Sequence, residues 1–191
     1  MKPPLGDTLV ICDMDNTLLT AKEGIPACNR AVIRLYTGMG GLFTVATGRP
    51  PESIRAALGN LKLSLPAISC NGALLYDFST ESVLHRSTLN REQATTAIID
   101  ILAKFPRMGV EVMAGNGEMY VIHANEVTHA HQVDEHLGSI ACPVESVPDG
   151  WVKVVFASDP ESIRKLGQYA KTKYYGCLLY TSPSPRDRTR S

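Results

Sequence analysis

Thr8-Leu9-Val10-Ile11-Cys12-Asp13-Met14-Asp15-Asn16-Thr17-Leu18 sets an apolar, β-branched run directly against two acids. A short, continuously apolar run suits a strand covered on both faces, as in a parallel sheet. The acids then stand beyond the strand's carboxyl end, where doubly wound sheets place their ligands. Separated by one residue, both acids leave the strand tip toward one site while Met14 points elsewhere. One is placed to attack and the other to move protons. Aspartate is a competent nucleophile toward phosphorus, because an aspartyl phosphate divides one hard displacement into two easier ones. Its charge repels a phosphate, and Mg²⁺, a hard ion suited to oxygen ligands, removes that repulsion. A bare Asp-x-Asp equally describes an N-cap or a surface loop pair, so the surrounding sequence has to separate the readings.

Outward from this stretch, residues from about Cys28 to Tyr36 place Ala31, Val32 and Leu35 at helical spacing, with Gly38, Gly40 and Gly41 as stop signals. A second buried strand, Leu42 to Ala46, follows. Thr47-Gly48-Arg49-Pro50-Pro51 turns the chain into a helix carrying Ile54, Ala57 and Leu58, and Pro66 to Cys70 reads as a third strand. Strand, helix, strand, helix, strand implies right-handed crossovers and a doubly wound α/β sheet. Thr47-Gly48-Arg49 therefore ends the second strand at the same sheet edge as Asp13. A threonine hydroxyl, a glycine that lets backbone approach, and a helix N-terminus together make a phosphate-binding corner. Arg49 would add a charge-assisted fork to an anionic substrate.

After Asn71 the rhythm becomes α+β. Ala73 to Tyr76 and Ser82 to Arg86 read as paired strands and Glu92 to Phe105 as a helix. Val110 to Met113 and Glu118 to Ile122 read as a hairpin around Gly115-Asn116-Gly117. A helix near Val127 to Leu137, a strand at Val152 to Phe156 and a helix from Pro160 to about Lys171 complete the second unit. The expected division is residues 1–80 for the first part of an α/β core, 81–176 for an α+β cap, and 177–191 for a disordered tail. That tail, Thr181-Ser182-Pro183-Ser184-Pro185-Arg186-Asp187-Arg188-Thr189-Arg190-Ser191, has no apolar residue to anchor it. It resembles translated adapter or vector sequence, and the alternative is a native flexible end.

The formal net charge of the 191 residues is +0, which supplies no broad positive field for nucleic acid or an anionic membrane. The five cysteines, scattered and without a CxxC pair, fit reduced thiols in a cytoplasmic protein. The apolar run after Met1 is cut short by Asp13 and Asp15, which makes a poor signal peptide. His129 and His131 lie two apart and point to different helix faces, favouring solvated or packed roles over a metal site. Cys12 in its apolar strand reads as inert, and Trp151 and Tyr120 read as core rather than cleft.

Asp13-Met14-Asp15-Asn16-Thr17-Leu18, Ala46-Thr47-Gly48-Arg49-Pro50 and Ser69-Cys70-Asn71-Gly72-Ala73 resemble, in order and spacing, the Cof-type branch of the haloacid dehalogenase-like hydrolases. The resemblance covers about residues 8 to 176. It implies a Rossmann-like core, partial here, with an inserted α+β cap, and hydrolysis of a small phosphorylated metabolite such as a sugar phosphate. It makes Asp13 the nucleophile and a Mg²⁺ ligand. Asp15 becomes the general acid/base, its backbone carbonyl a second metal ligand, and Thr47 the holder of the transferring phosphoryl group. Thr17 would stabilise the motif loop and lie at the substrate side with Gly48, Arg49, Asn71 and Gly72. Asn16 stands where many relatives have glycine.

The resemblance also implies a later lysine and an acidic pair on a GDxxND-like segment, and neither is found. Lys153 lies within the expected cap and Asp187 in the tail. The chain is therefore expected to be a fragment of little activity, with the first strand on an open edge. The alternative reading is a non-catalytic phosphate- or metabolite-binding module, or an inactive fragment.

Overall fold

The computed structural model describes residues 5–20, 24–115, 117–135 and 138–173. The expected tail, Asp187, Asn116 of the hairpin turn and the end of the expected helix at Leu137 lie outside these residues. The chain divides into two compact units after Ser87. This division falls later than the boundary expected after residue 80, because the strands on either side of that point pair with each other.

The first unit runs β1 (Leu9–Cys12), α1 (Ala27–Gly38), β2 (Leu42–Val45), α2 (Pro51–Leu58), β3 (Ala67–Ser69), β4 (Leu74–Asp77) and β5 (Ser82–Arg86). β1 pairs with β2 in parallel, Leu9 opposite Leu42 through Cys12 opposite Val45. A parallel bridge between Ala46 and Ile68 carries the sheet direction on to β3. Parallel neighbours need crossovers, and α1 and α2 supply them. β3, β4 and β5 then form an antiparallel meander. Met14, Leu18, Ile33, Phe43, Val45, Ile54 and Leu58 belong to the core of this unit.

The apolar composition of β1 suits cover on both faces, but the incomplete core was expected to leave it on an open edge with uncovered apolar faces, and Leu9, Val10 and Ile11 are 47%, 40% and 50% exposed. Among the described residues β1 pairs only with β2 and so occupies a sheet edge. In α1 the helical spacing holds, but Ile33 is buried while Val32 and Leu35 are 64% and 66% exposed. Arg30 explains which face turns in. Its guanidinium donates to Leu58 O at 2.6 Å and Ala57 O at 3.4 Å, while its Nε donates to Ile25 O at 3.2 Å. It thereby satisfies carbonyls at the end of α2 that no further helical turn would meet. Pro51 opens α2 at a position that tolerates its missing N–H.

The second unit runs α3 (Arg91–Lys104), β6 (Gly109–Met113), β7 (Met119–His123), α4 (Glu126–Glu135), β8 (Ser139–Ala141), β9 (Lys153–Ala157) and α5 (Pro160–Lys171). Its sheet order is β8-β7-β6-β9, with β7 and β9 both antiparallel to β6. Central β6 is buried throughout, and its alternation splits two faces. Val110 and Val112 join Ile98, Tyr120, Val144 and Trp151 in one cluster. On the other face α4 approaches closely enough that a Cβ on Gly109 would stand 2.4 Å from Thr128 Cγ2. Asn125 fixes α4 there: its Oδ1 accepts from Val127 N and Thr128 N, and its Nδ2 donates to Ala157 O at 2.8 Å. Asn90 and Asp159 cap α3 and α5 in the same way. The protein is thus an α/β core sheet accompanied by a β-rich α+β unit. No helix among the described residues is long and apolar enough to cross a membrane.

Candidate active site

Because β1, β2 and β3 run parallel, their carboxyl ends share one edge of the sheet. Ala46 N donates to Cys12 O at 2.9 Å and Thr47 N to Ile68 O at 2.9 Å. The loops that follow the three strands, residues 13–18, 47–49 and 70–72, are therefore neighbours.

Met14 holds the first loop. Its side chain is fully buried, and its carbonyl accepts from Leu18 N at 3.0 Å and Leu19 N at 2.8 Å. With Met14 turned into the core, Asp13 and Asp15 turn out. Asp13 is exposed and its Oδ2 accepts from Thr17 Oγ1 at 3.3 Å. Thr17, expected to stabilise the motif loop, lies against the Asp13 carboxylate. Asn16 has φ 57°, in the left-handed region that favours glycine and tolerates asparagine, which accounts for asparagine at this position.

In the second loop Thr47 is buried, and its Oγ1 accepts from Arg49 N at 3.2 Å. A Cβ on Gly48 would stand 2.7 Å from Asn71 Oδ1, so the Asn71 side chain lies directly against this backbone. Arg49 differs most from expectation. Its fork lies on Asp15 rather than outward: Nε donates to both Asp15 oxygens at 3.1 Å and Nη2 to Oδ1 at 2.8 Å. An arginine presenting two parallel donors to one carboxylate fixes its plane as well as its charge. Nη1 donates to Ser53 Oγ at 2.7 Å.

The third loop places Cys70, Asn71 and Gly72 at φ 50°, 57° and 91°, three successive left-handed residues. Such strain persists only where the surroundings over-determine it. Cys70 N donates to Arg49 O at 3.2 Å, Asn71 N to Thr47 O at 3.1 Å, and Ser69 Oγ to Arg49 O at 2.7 Å. Asn71 and Gly72 remain exposed.

The structure therefore gathers Asp13, Asp15, Thr17, Thr47, Gly48, Arg49, Asn71 and Gly72 onto three adjacent loops. Ser53 and Ser69 were missed. Ser53 lies four residues after Arg49 on the next helix, and Ser69 is a polar residue in an apolar strand, so both left a readable signal. Cys12 is half-buried, and burial, followed by the neighbouring Asp13 charge, raises its thiol above the usual range, which disfavours the reactive thiolate. Of the two histidines on α4, His129 is exposed and His131 packs on Glu111, consistent with different helix faces. Trp151 and Tyr120 are both core residues.

A doubly wound sheet with an acidic loop and a threonine-glycine loop at one edge, joined to an α+β unit, defines the class. The sequence matches the family of haloacid dehalogenase-like hydrolases over residues 10–186, and the chain belongs to that family. It is 36% identical over 93 residues to the 5-amino-6-(5-phospho-D-ribitylamino)uracil phosphatase YwtE of Bacillus subtilis, covering 49% of this chain and 31% of that protein. It is 36% identical over 77 residues to the pyridoxal phosphate phosphatase YbhA of Escherichia coli, covering 40% and 28% respectively. The crystal structure of a haloacid dehalogenase-like hydrolase from Bacteroides thetaiotaomicron superposes with a TM-score of 0.73 at 15% identity, covering 85% of this chain and 62% of that one. The matched part thus spans about a third of the length of these curated relatives.

Proposed function

We propose that these residues carry the nucleophile and acid/base of a Mg²⁺-dependent phosphomonoester hydrolase of the Cof-type branch, acting on a small phosphorylated metabolite. A carboxylate oxygen of Asp13 attacks phosphorus and forms an aspartyl phosphate, while Asp15 gives a proton to the departing alkoxide. Asp15 then takes a proton from water as that water attacks the same phosphorus, releasing inorganic phosphate and restoring Asp13. Thr47 donates its hydroxyl to the transferring phosphoryl oxygens. Gly48, Arg49, Asn71 and Gly72 line the substrate side, and Thr17 holds the Asp13 carboxylate toward it.

The observation that carries this reading is the separation of the two acids' surroundings. Asp13 is exposed with a hydroxyl beside it, whereas Asp15 is gripped by Arg49. The first is open to attack a substrate, and the second has its orientation fixed beside it. The metal fits the chemistry of the donors. Asp13 offers hard carboxylate oxygens, Arg49 leaves Asp15 its backbone carbonyl, and both suit Mg²⁺ better than a softer ion. When bound, Mg²⁺ neutralises charge between nucleophile and phosphate. The two curated relatives act, by their names, on phosphorylated small molecules, which supports the substrate class.

The lysine and second acidic pair implied by the resemblance match no segment here, so turnover by the 191 residues alone is expected to be slow. A binding module uses the same corner without chemistry. Exposure to a small acyl phosphate with Mg²⁺, followed by intact-mass spectrometry, separates the two readings. One phosphoryl increment on the wild type, absent in Asp13→Asn, supports the hydrolase. A wild type that binds phosphate but never takes the increment sinks it.

A further inference from the structure

We propose that Ser53 is a positioning residue for Asp15, acting through Arg49; the inference rests on reading Asp15 as the proton-transfer group. Ser53 lies in the first turn of α2 and is 2% exposed. Its Oγ accepts from Arg49 Nη1 at 2.7 Å. The opposite edge of the same guanidinium, Nε with Nη2, lies on Asp15. A guanidinium is planar, so an acceptor fixed at Nη1 sets where the Nε and Nη2 donors point.

The root of the side chain is held as firmly as its tip. Arg49 O accepts from fully buried Ser69 Oγ at 2.7 Å and from Cys70 N at 3.2 Å. Between root and tip lies a chain of rotatable bonds that would otherwise sample many rotamers. Asp15 is in the opposite condition: its side chain is 45% exposed, at the tip of a loop. A buried helix residue thus transmits rigidity to an exposed acid. Proton transfer demands that rigidity, since the acid has to lie within hydrogen-bond reach of the leaving oxygen. A buried serine in a first helical turn usually bonds its own backbone. Here its oxygen meets an arginine side chain that spans to another loop.

Arginine-selective ¹⁵N spectra of the full 191-residue chain test the proposal, with Arg49→Lys assigning the Arg49 signals. The wild type should show two resolved Nη signals and a slowly exchanging Nε–H for Arg49. Ser53→Ala should merge the Nη signals and speed Nε–H exchange by roughly tenfold or more, the factor expected for losing a hydrogen bond to a charged group. Ser53→Thr, which keeps the hydroxyl, should restore both, with backbone spectra outside residues 47–55 unchanged. Unaltered Nη signals and exchange in Ser53→Ala would overturn the proposal. So would a single averaged Nη signal in the wild type, which decides the matter even if Ser53→Ala does not fold. Acyl phosphate labelling reads the underlying assignment separately. A wild type that takes no phosphoryl group ends the hydrolase reading without moving the arginine spectrum. Where labelling occurs, Ser53→Ala should slow loss of the label, the step in which Asp15 takes a proton from water, more than its formation.

Discussion

Replacing His131 with alanine should measurably destabilise the second unit, although the residue lies in none of the three candidate catalytic loops. Glu111 sits at the middle of β6 with its side chain 1% exposed. Its direct neighbours across the sheet are Val121 on β7 and Val155 on β9, neither able to share a hydrogen bond through its side chain. His131 Nδ1 meets Glu111 Oε2 at 2.6 Å, while Oε1 has no partner among the described residues. Removing the imidazole leaves a buried polar oxygen without its hydrogen bond, a loss of about 1–3 kcal/mol. A domain's whole stability is about 5–15 kcal/mol. Glu111→Met, which substitutes apolar volume for the acid, should cost little or even stabilise, and His131→Ala in that background should cost less than about 1 kcal/mol. The two units need not unfold together, so the assay has to isolate one. Trp151, the single tryptophan, is buried in the second unit's core, and its fluorescence during urea unfolding follows that unit alone. A loss below about 1 kcal/mol in His131→Ala, or equal losses in His131→Ala and Glu111→Met, would refute the argument from a stranded polar group.

Two further outcomes follow from backbone and capping geometry. Asn16→Ala should cost about 1–2 kcal/mol because φ is 57°, whereas Asn16→Gly should be nearly neutral; equal losses in urea unfolding of the first unit would remove the conformational explanation. Asp159, which caps α5, is held down from the ordinary 3.8 to about 2, chiefly by the Ser162 hydroxyl and then by the Ser162 backbone N–H. A depressed carboxylate supports the fold above its unfolded value and loses that support as pH falls through the folded one. Amides in the first turn of α5 should therefore exchange increasingly fast, beyond the intrinsic pH trend, between about pH 4 and pH 2. Asp159→Asn should lack that acid step.

The order of strands and helices was legible because apolar runs, prolines and glycines punctuate the chain locally. Coverage was not legible in the same way. Leu9-Val10-Ile11 has the composition of a strand buried on both faces, and its open edge was legible only through the later motifs that the resemblance implies; among the described residues only β2 stands beside it. Val32 and Leu35 satisfy helical spacing as well as Ile33 does. The inward face of α1 is selected by Arg30 reaching the end of α2, a contact 28 residues away in sequence. The capping residues were within reach of sequence reasoning, since Asn90, Asn125 and Asp159 each stand just before a helix that the structure contains.

At the candidate site the residue types were readable and their connections were not. Asp13, Asp15, Thr47 and Arg49 announce themselves by their place after apolar strands. That Arg49 turns its fork onto Asp15 depends on the parallel register of β1 and β2, which sets Cys12 opposite Val45 and so brings the two following loops side by side. The third loop depends on conformations that sequence marks weakly: Cys70 at φ 50° is an unusual residue for the left-handed region, and only its fixed neighbours keep it there. Strain and register act together. The left-handed turn lets Cys70 N and Asn71 N reach back to Arg49 and Thr47, Ser69 secures the same Arg49 carbonyl, and Ser53 secures the guanidinium. A half-exposed acid on a loop is thereby tied, through one arginine, to buried residues of a helix and a strand. Stiffness at Asp15 is thus expected from Arg49, which touches it, and from Ser53, Ser69 and Cys70, which do not.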